Sequence, residues 1–133
     1  MGDVKGLKEF SKRLRQIVAA VEDGIVETLE DSADDLLNRA IALSPQLSGA
    51  HIASGQVFAP SRFIRIVGFD KRYSVRLHES TRYKLGPISR TKPSTKDGTV
   101  GPGYLRRPYE NNKQRYIADA AKAVDRELQR ALR

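Results

Sequence analysis

An apolar stripe runs along the first third of the chain and limits the folds open to it. From Leu7 to Leu43 the apolar residues recur at steps of three and four, which places them on one face of an α-helix. The pattern predicts a long N-terminal amphipathic helix over 5–43, about 55–60 Å long at 1.5 Å per residue. Pro45 ends it, because a residue before proline is pushed toward extended backbone. Gly24 lies inside the pattern, so the sequence leaves open whether the helix continues there or is broken near this glycine.

The middle of the chain changes to an extended pattern. The stretch 52–58 reads as a first strand, and 62–69, rich in β-branched and aromatic residues, reads as a second. Apolar and polar residues alternate over 73–78, which predicts a third strand with one apolar face. The links between these stretches are short and favour antiparallel pairing. We therefore expect 50–79 to form a small antiparallel sheet of three to four strands.

The pattern is lost between 80 and 104, where glycine and proline punctuate a run of Ser, Thr, Lys and Arg. Long loops without regular structure are uncommon in compact domains and are usually functional or disordered. We expect a long, extended basic loop that is free to order on a partner. A C-terminal helix is predicted over 106–131, with Pro108 in its first turn. The whole chain, 1–133, is thus predicted as a single α+β domain with helices packed on an antiparallel sheet.

The positive charge of the chain is concentrated in its middle. The net charge is +8, and the segment 62–107 alone carries twelve Lys and Arg against three Asp and Glu. Such a segment suits a polyanion or an acidic protein surface. We expect seven basic residues to contact a partner subunit or DNA: Arg82, Lys84, Arg90, Lys92, Lys96, Arg106 and Arg107.

The residue types that carry catalysis are sparse and badly spaced. The chain has no cysteine, which excludes thiolate nucleophiles and Cys-ligated zinc. His78 and Glu79 do not complete a zinc-binding His-Glu-x-x-His motif, because Arg82 stands where the second histidine belongs. The glycine-rich stretch 98–103 is followed by Tyr104 and not by the Lys-Ser/Thr of a phosphate-binding loop. We expect no enzyme activity, no cofactor and no metal, and no membrane partner, since no apolar run approaches about 20 residues.

A basic nucleic-acid-binding protein is the alternative interpretation. Tyr73, Tyr83 and Tyr104 are interleaved with Lys and Arg, an arrangement that can combine base stacking with phosphate contact. No recognised nucleic-acid-binding motif frames them. Affinity that falls steeply with salt would distinguish this reading from an interface between proteins.

Three stretches, taken in order, carry a family resemblance. Ser44–Ser54 is similar to a segment Ala-Pro-x-x-Thr-Gly-x-Leu-x-x-Ser that follows an amphipathic helix, with Ser48 in place of Thr. Tyr73–Thr81 looks like an element in which an aromatic residue leads to Glu and then to a pair such as Gly-Thr. Gly101–Pro108 resembles a Pro- and Gly-bearing stretch that leads into a closing helix. Together they resemble the head–tail joining and tail-completion proteins of tailed bacteriophages, typified by the gene-10 product of phage HK97.

The resemblance implies a structural role in the virion. It implies a neck subunit that forms a homo-oligomeric ring, commonly of six copies, between the head connector and the tail. The implied partners are the adjacent head-connector or stopper and tail-tube proteins, with contact to genomic DNA in the channel. The implied location is the neck or tail of the virion, after synthesis in the host cytoplasm.

Overall fold

The computed structural model of the chain describes residues 2–46, 49–70, 72–80 and 83–133. Its first element, helix α1, spans Gly2–Leu43 without a break, about 63 Å at 1.5 Å per residue. The predicted N-terminal helix is confirmed. Ser44 follows it, and its hydroxyl donates to the carbonyl of Ala40 (2.6 Å) within the last turn.

Gly24 serves as the place where a second helix approaches α1. The helix continues through it, so the break that the sequence left open does not occur. Gly24 is buried, and a Cβ at this position would lie 2.8 Å from Cγ of Glu127 and 3.7 Å from the carbonyl oxygen of Ala123. A side chain here would crowd the crossing, which explains a glycine in the middle of a long helix.

The second helix is α5, Arg106–Ala131, which matches the predicted C-terminal helix. It runs antiparallel to α1, as three contacts along its length show. Arg115 reaches Asp35 (2.7 Å), Glu127 lies beside Gly24, and the carbonyl of Ala131 accepts a hydrogen bond from Arg13 (2.6 Å). The antiparallel pair forms the frame on which the other elements are placed.

A β-hairpin lies on another side of α1. Strands β1 (Gln56–Ser61) and β2 (Ile64–Gly68) pair antiparallel, with Val57 opposite Val67 and Phe58 opposite Ile66. The antiparallel pairing is confirmed, but among the described residues the sheet has two strands and not three or four. Ile52, expected in the first strand, lies instead in the short helix α2 (Ala50–Ala53).

The predicted third strand is wrong, because this segment forms helix α3, Arg72–Glu79. Alternation of apolar residues suggested a strand, yet Val75 is 70% exposed while Ser74 is buried and Leu77 is half-buried. Ser74, Leu77 and His78 stand three and four residues apart, so a helix brings them to one face. Two of these three are polar and would not register in a search for apolar periodicity.

The expected free arm over 80–104 is also wrong where the structure describes it, at 80 and over 83–104. This segment contains the short helix α4 (Pro87–Thr91) and a turn closed by an isolated bridge between Thr95 and Gly98. The turn holds Asp97, whose side chain is 2% exposed. The segment is therefore a packed part of the fold.

Asp97 ties this segment to both long helices. Its carboxylate accepts hydrogen bonds from Arg39 of α1 (3.0 Å) and from Asn111 (3.3 Å) and Asn112 (3.0 Å) of α5. Burial alone would raise the pKa of the Asp97 carboxyl, but the hydrogen bonds from these three side chains outweigh it and lower that pKa below its usual range. Asp35, which binds Arg39 as well, extends the network along α1.

We expect Asp97→Asn to lower the free energy of unfolding at pH 7 by about 1–3 kcal/mol, since it removes charge-assisted hydrogen bonds at a buried site. Asp34→Asn, at an exposed position of α1, is the matched control and should change little. Because the pKa of Asp97 is lower in the folded chain, its stabilising effect is present above pH about 4 and is lost as the pH falls through the folded value. Urea unfolding measured across this pH range should show the stabilities of the wild type and Asp97→Asn converging in acid. A difference that stays constant with pH would contradict the role given to the Asp97 carboxylate.

Candidate assembly surfaces

Tyr104 is the centre of a junction between segments that are distant in sequence. Its side chain is buried, with the residue 2% exposed, and its hydroxyl donates to the backbone carbonyl of Ser74 (2.7 Å). The ring meets those of His51, Phe69 and His78 edge-on, at centroid distances of 4.9, 5.4 and 5.0 Å. Burial raises the pKa of the Tyr104 hydroxyl, so it remains a donor at neutral pH. We call this cluster the Tyr104 junction.

His51 completes the junction from the short helix α2. Its ring stacks on Phe69 at 4.4 Å, and Nδ1 is hydrogen-bonded to the hydroxyl of Ser74 (2.7 Å). Burial, with a smaller effect from the charge of Lys92, lowers the pKa of His51. The neutral imidazole therefore packs as an aromatic residue.

The C-terminal end of α1 is capped by residues of the segment 83–104, which we call the basic segment. The N–H of Gly101 donates to the carbonyl of Leu43 (3.0 Å). The ammonium of Lys92 donates to the carbonyls of Ile41 (2.9 Å) and Ser44 (2.7 Å). The last carbonyls of a helix have no partner within the helix, and a cation beside them also complements the helix dipole.

His78 and Glu79 join α3 to the start of α5. Nε2 of His78 accepts the backbone N–H of Arg106 (3.1 Å), so its Nδ1 carries the proton and donates to Glu79 (2.6 Å). The carbonyl of His78 accepts the N–H of Gly103 (2.7 Å). Gly103 has φ 71°, a left-handed conformation that favours glycine. The lone pair that a general base would use is engaged by the backbone.

The seven basic residues expected at a partner surface fall into three groups. Arg82 lies outside the described residues. Lys84, Arg90, Lys96 and Arg106 are exposed. Lys92 and Arg107 direct their charged groups inward, to carbonyls of the same chain. The structure therefore brings four of the described six to the surface, and a contact with a partner stays a prediction for them.

Arg107 organises the turn that precedes α5. Its guanidinium donates to the carbonyls of Pro102 (3.0 Å) and Thr99 (2.7 Å), with longer contacts to those of Gly101 (3.4 Å) and Asp97 (3.5 Å). A planar cation with five donors can satisfy several carbonyls at once. The neighbouring Arg106 instead extends into solvent, 4.0 Å from Glu79.

Two apolar surfaces are left open. The first, the arm stripe, lies on the N-terminal part of α1, where Leu7 and Phe10 are each 64% exposed and Leu14 and Val18 are about half exposed. The second, the hairpin face, is the side of β1 and β2 turned away from α1, and it ends at the turn between the strands. Its exposed members are Phe58, Phe63, Ile64 and Ile66.

The sequence predicts the apolar face of α1 but does not show which of its residues the rest of the chain leaves uncovered. One signal was present: the stripe on α1 continues for many more residues than that of α5. An antiparallel partner of 26 residues cannot cover a helix of 42 residues, so part of the stripe had to remain open.

Acidic and basic side chains share one further cleft, between α1 and α5. It is lined by Glu27 and Asp31 of α1 and by Arg115, Asp119 and Lys122 of α5. The described part of the chain contains no group of three or more His, Asp or Glu side chains placed to hold a metal ion. Its helices include none with an apolar stretch of the length and character needed to cross a membrane.

Comparison with known proteins does not add to this picture. No family model, no curated protein and no solved structure matches the chain significantly.

The adjacent arginines give a direct test of the contacts at the start of α5. Arg107→Ala should lower the free energy of unfolding by about 1–3 kcal/mol, because it leaves carbonyls of the turn without their donor. Arg106→Ala should change it by less than about 0.5 kcal/mol, as expected for an exposed side chain. Chemical denaturation of both variants measures the difference. Equal losses would show that Arg107 does not hold the turn.

Proposed function

We propose that this chain is a structural subunit of the neck of a tailed bacteriophage, where copies form a ring that joins the head connector to the tail. The observation that carries the proposal is the Tyr104 junction. Each of the three stretches that resemble the head–tail joining family contributes to it: His51 from the first, Ser74 and His78 from the second, and Tyr104 from the third.

The three stretches that carry the resemblance contact one another in the folded chain. Short motifs that match separately could each arise by chance. Here the residues within them contact one another across sequence separations of 23 and 30 residues. Because residues of all three stretches pack against one another, the stretches form one structural unit. A resemblance that covers such a unit supports the proposed family.

The open apolar surfaces fit a protein that assembles. Soluble monomers rarely expose large contiguous apolar patches, and such patches commonly mark interfaces. A ring subunit needs two different surfaces, one for each neighbour. The arm stripe and the hairpin face supply two, on separate parts of the chain.

The exposed cations fit a position beside DNA or an acidic partner. Lys84, Arg90, Lys96 and Arg106 are exposed in each copy, and six copies in a ring would multiply them around a channel. The alternative, a separate nucleic-acid-binding protein, has fewer cations for phosphate contact than the sequence suggested, since Lys92 and Arg107 bind carbonyls of the chain itself.

Deletion of the gene from the phage genome that encodes this chain tests the proposal. Filled heads and separate tails should accumulate, infectious particles should fall by several orders of magnitude, and supplying the wild-type chain in trans should restore joined particles. Electron microscopy of the lysates, with antibody labelling of the complemented virions, measures both effects. Normal joined virions after deletion, or label away from the head–tail joint, would overturn the assignment.

A further inference from the structure

We propose that the arm stripe of one copy docks on the hairpin face of a second copy of this chain. The contact would join Leu7, Phe10 and Leu14 of α1 to Phe58 and Ile66 of the neighbouring hairpin. This inference deepens the proposed function and rests on it in one respect: it names the contact through which copies of a ring subunit would meet.

The two surfaces cannot meet within one copy. Arg62 at the hairpin turn binds Glu22 (2.9 Å) and Asp23, and Arg65 of β2 binds Glu30, so the hairpin is fixed to the middle of α1. Phe10 lies on the same unbroken helix, about 18–30 Å from these anchors along its axis. The hairpin face also points away from α1, since its strands turn Val57, Arg65 and Val67 toward the helix. A contact between the two surfaces must therefore be intermolecular.

The surfaces match in length and area. The arm stripe from Leu7 to Leu14 spans about 10 Å along a helix. The hairpin face from Phe63 in the turn to Ile66 in β2 also spans about 10 Å. The arm stripe with Val18 included and the hairpin face each have four exposed apolar residues. At roughly 200 Å² per residue, with about half of it exposed, each surface supplies on the order of 400 Å². Since interfaces are about 60% apolar, some 800 Å² of apolar area corresponds to a total of about 1,300 Å², within the range of stable interfaces.

A second copy is favoured over other partners because it would cover both open apolar surfaces at once. The arm also carries exposed cations on its other faces, at Lys8, Lys12 and Arg15. An anionic membrane would also attract the basic, amphipathic arm, but it would leave the hairpin face uncovered.

Contact between two different surfaces is heterologous, so it leaves one free surface at each end of a pair. Such contacts propagate and close into a ring when the rotation between copies permits. The angle between the arm and the hairpin face would then set the number of copies.

Two variants with complementary defects test the contact in the full-length chain. Phe10→Glu places a charge on the arm stripe, and Ile66→Glu places one on the hairpin face. Each should weaken self-association at least tenfold, because docking would bury an unpaired carboxylate. Gln16→Glu, on the opposite side of α1, is the matched control and should associate like the wild type. Circular dichroism checks that all variants fold, as expected for positions that are 64% and 51% exposed in one copy.

Mixing the two defective variants provides the decisive readout by sedimentation velocity. The intact arm of Ile66→Glu should dock on the intact hairpin face of Phe10→Glu, giving a complex of two chains that cannot extend. A mixture that stays monomeric overturns the proposal. A second result would also overturn it: the wild-type chain does not self-associate but binds phosphatidylserine-containing vesicles, and of the two variants only Phe10→Glu loses that binding. If the mixture fails while wild-type rings persist, the contact is wrong and the neck assignment stands; if it succeeds and gene deletion leaves joined virions, the reverse holds.

Discussion

The burial of Tyr104 at the end of α1 is the contact through which the later part of the chain is fixed in place. Its ring meets side chains from α2, from the end of the hairpin and from α3, while its hydroxyl closes on the backbone of Ser74. Leu43 and Ala40 of α1 lie fully buried beside it. Because a packed aromatic group tolerates little rearrangement, these short elements hold one arrangement despite having few backbone hydrogen bonds of their own.

Helix α1 has two parts with different surroundings. Its C-terminal part is held by α5, the hairpin and the basic segment, and the ion pairs of Asp35 and Arg39 lie there. Its N-terminal part extends past the end of α5 with its apolar residues exposed. A rigid helix anchored at one end can present the other to a neighbour at a fixed angle. That division fits the assembly role proposed above.

Apolar periodicity in the sequence correctly predicts the elements that bury apolar side chains. It does not predict the elements that are held by polar contacts. The two long helices and the hairpin follow from spacing. Helix α3 was missed because Ser74 and His78 face inward as polar residues, bonded to His51, Tyr104 and Arg106. The sequence of the basic segment predicts a free arm because the groups that anchor it are the backbone N–H groups of Gly101 and Gly103 and the ammonium of Lys92. A hydropathy pattern does not reveal such contacts. Composition likewise could not separate the inward Arg107 from the outward Arg106.

Hydrogen exchange of the backbone amides between 99 and 105 tests whether the basic segment is anchored as described. The amides of Gly101 and Gly103 donate to carbonyls of α1 and α3, so they should exchange orders of magnitude more slowly than an unstructured chain, at rates near those of α5. Exchange of both amides at the rate of a random coil would contradict the Tyr104 junction and restore a free, cationic arm as the better description of this protein.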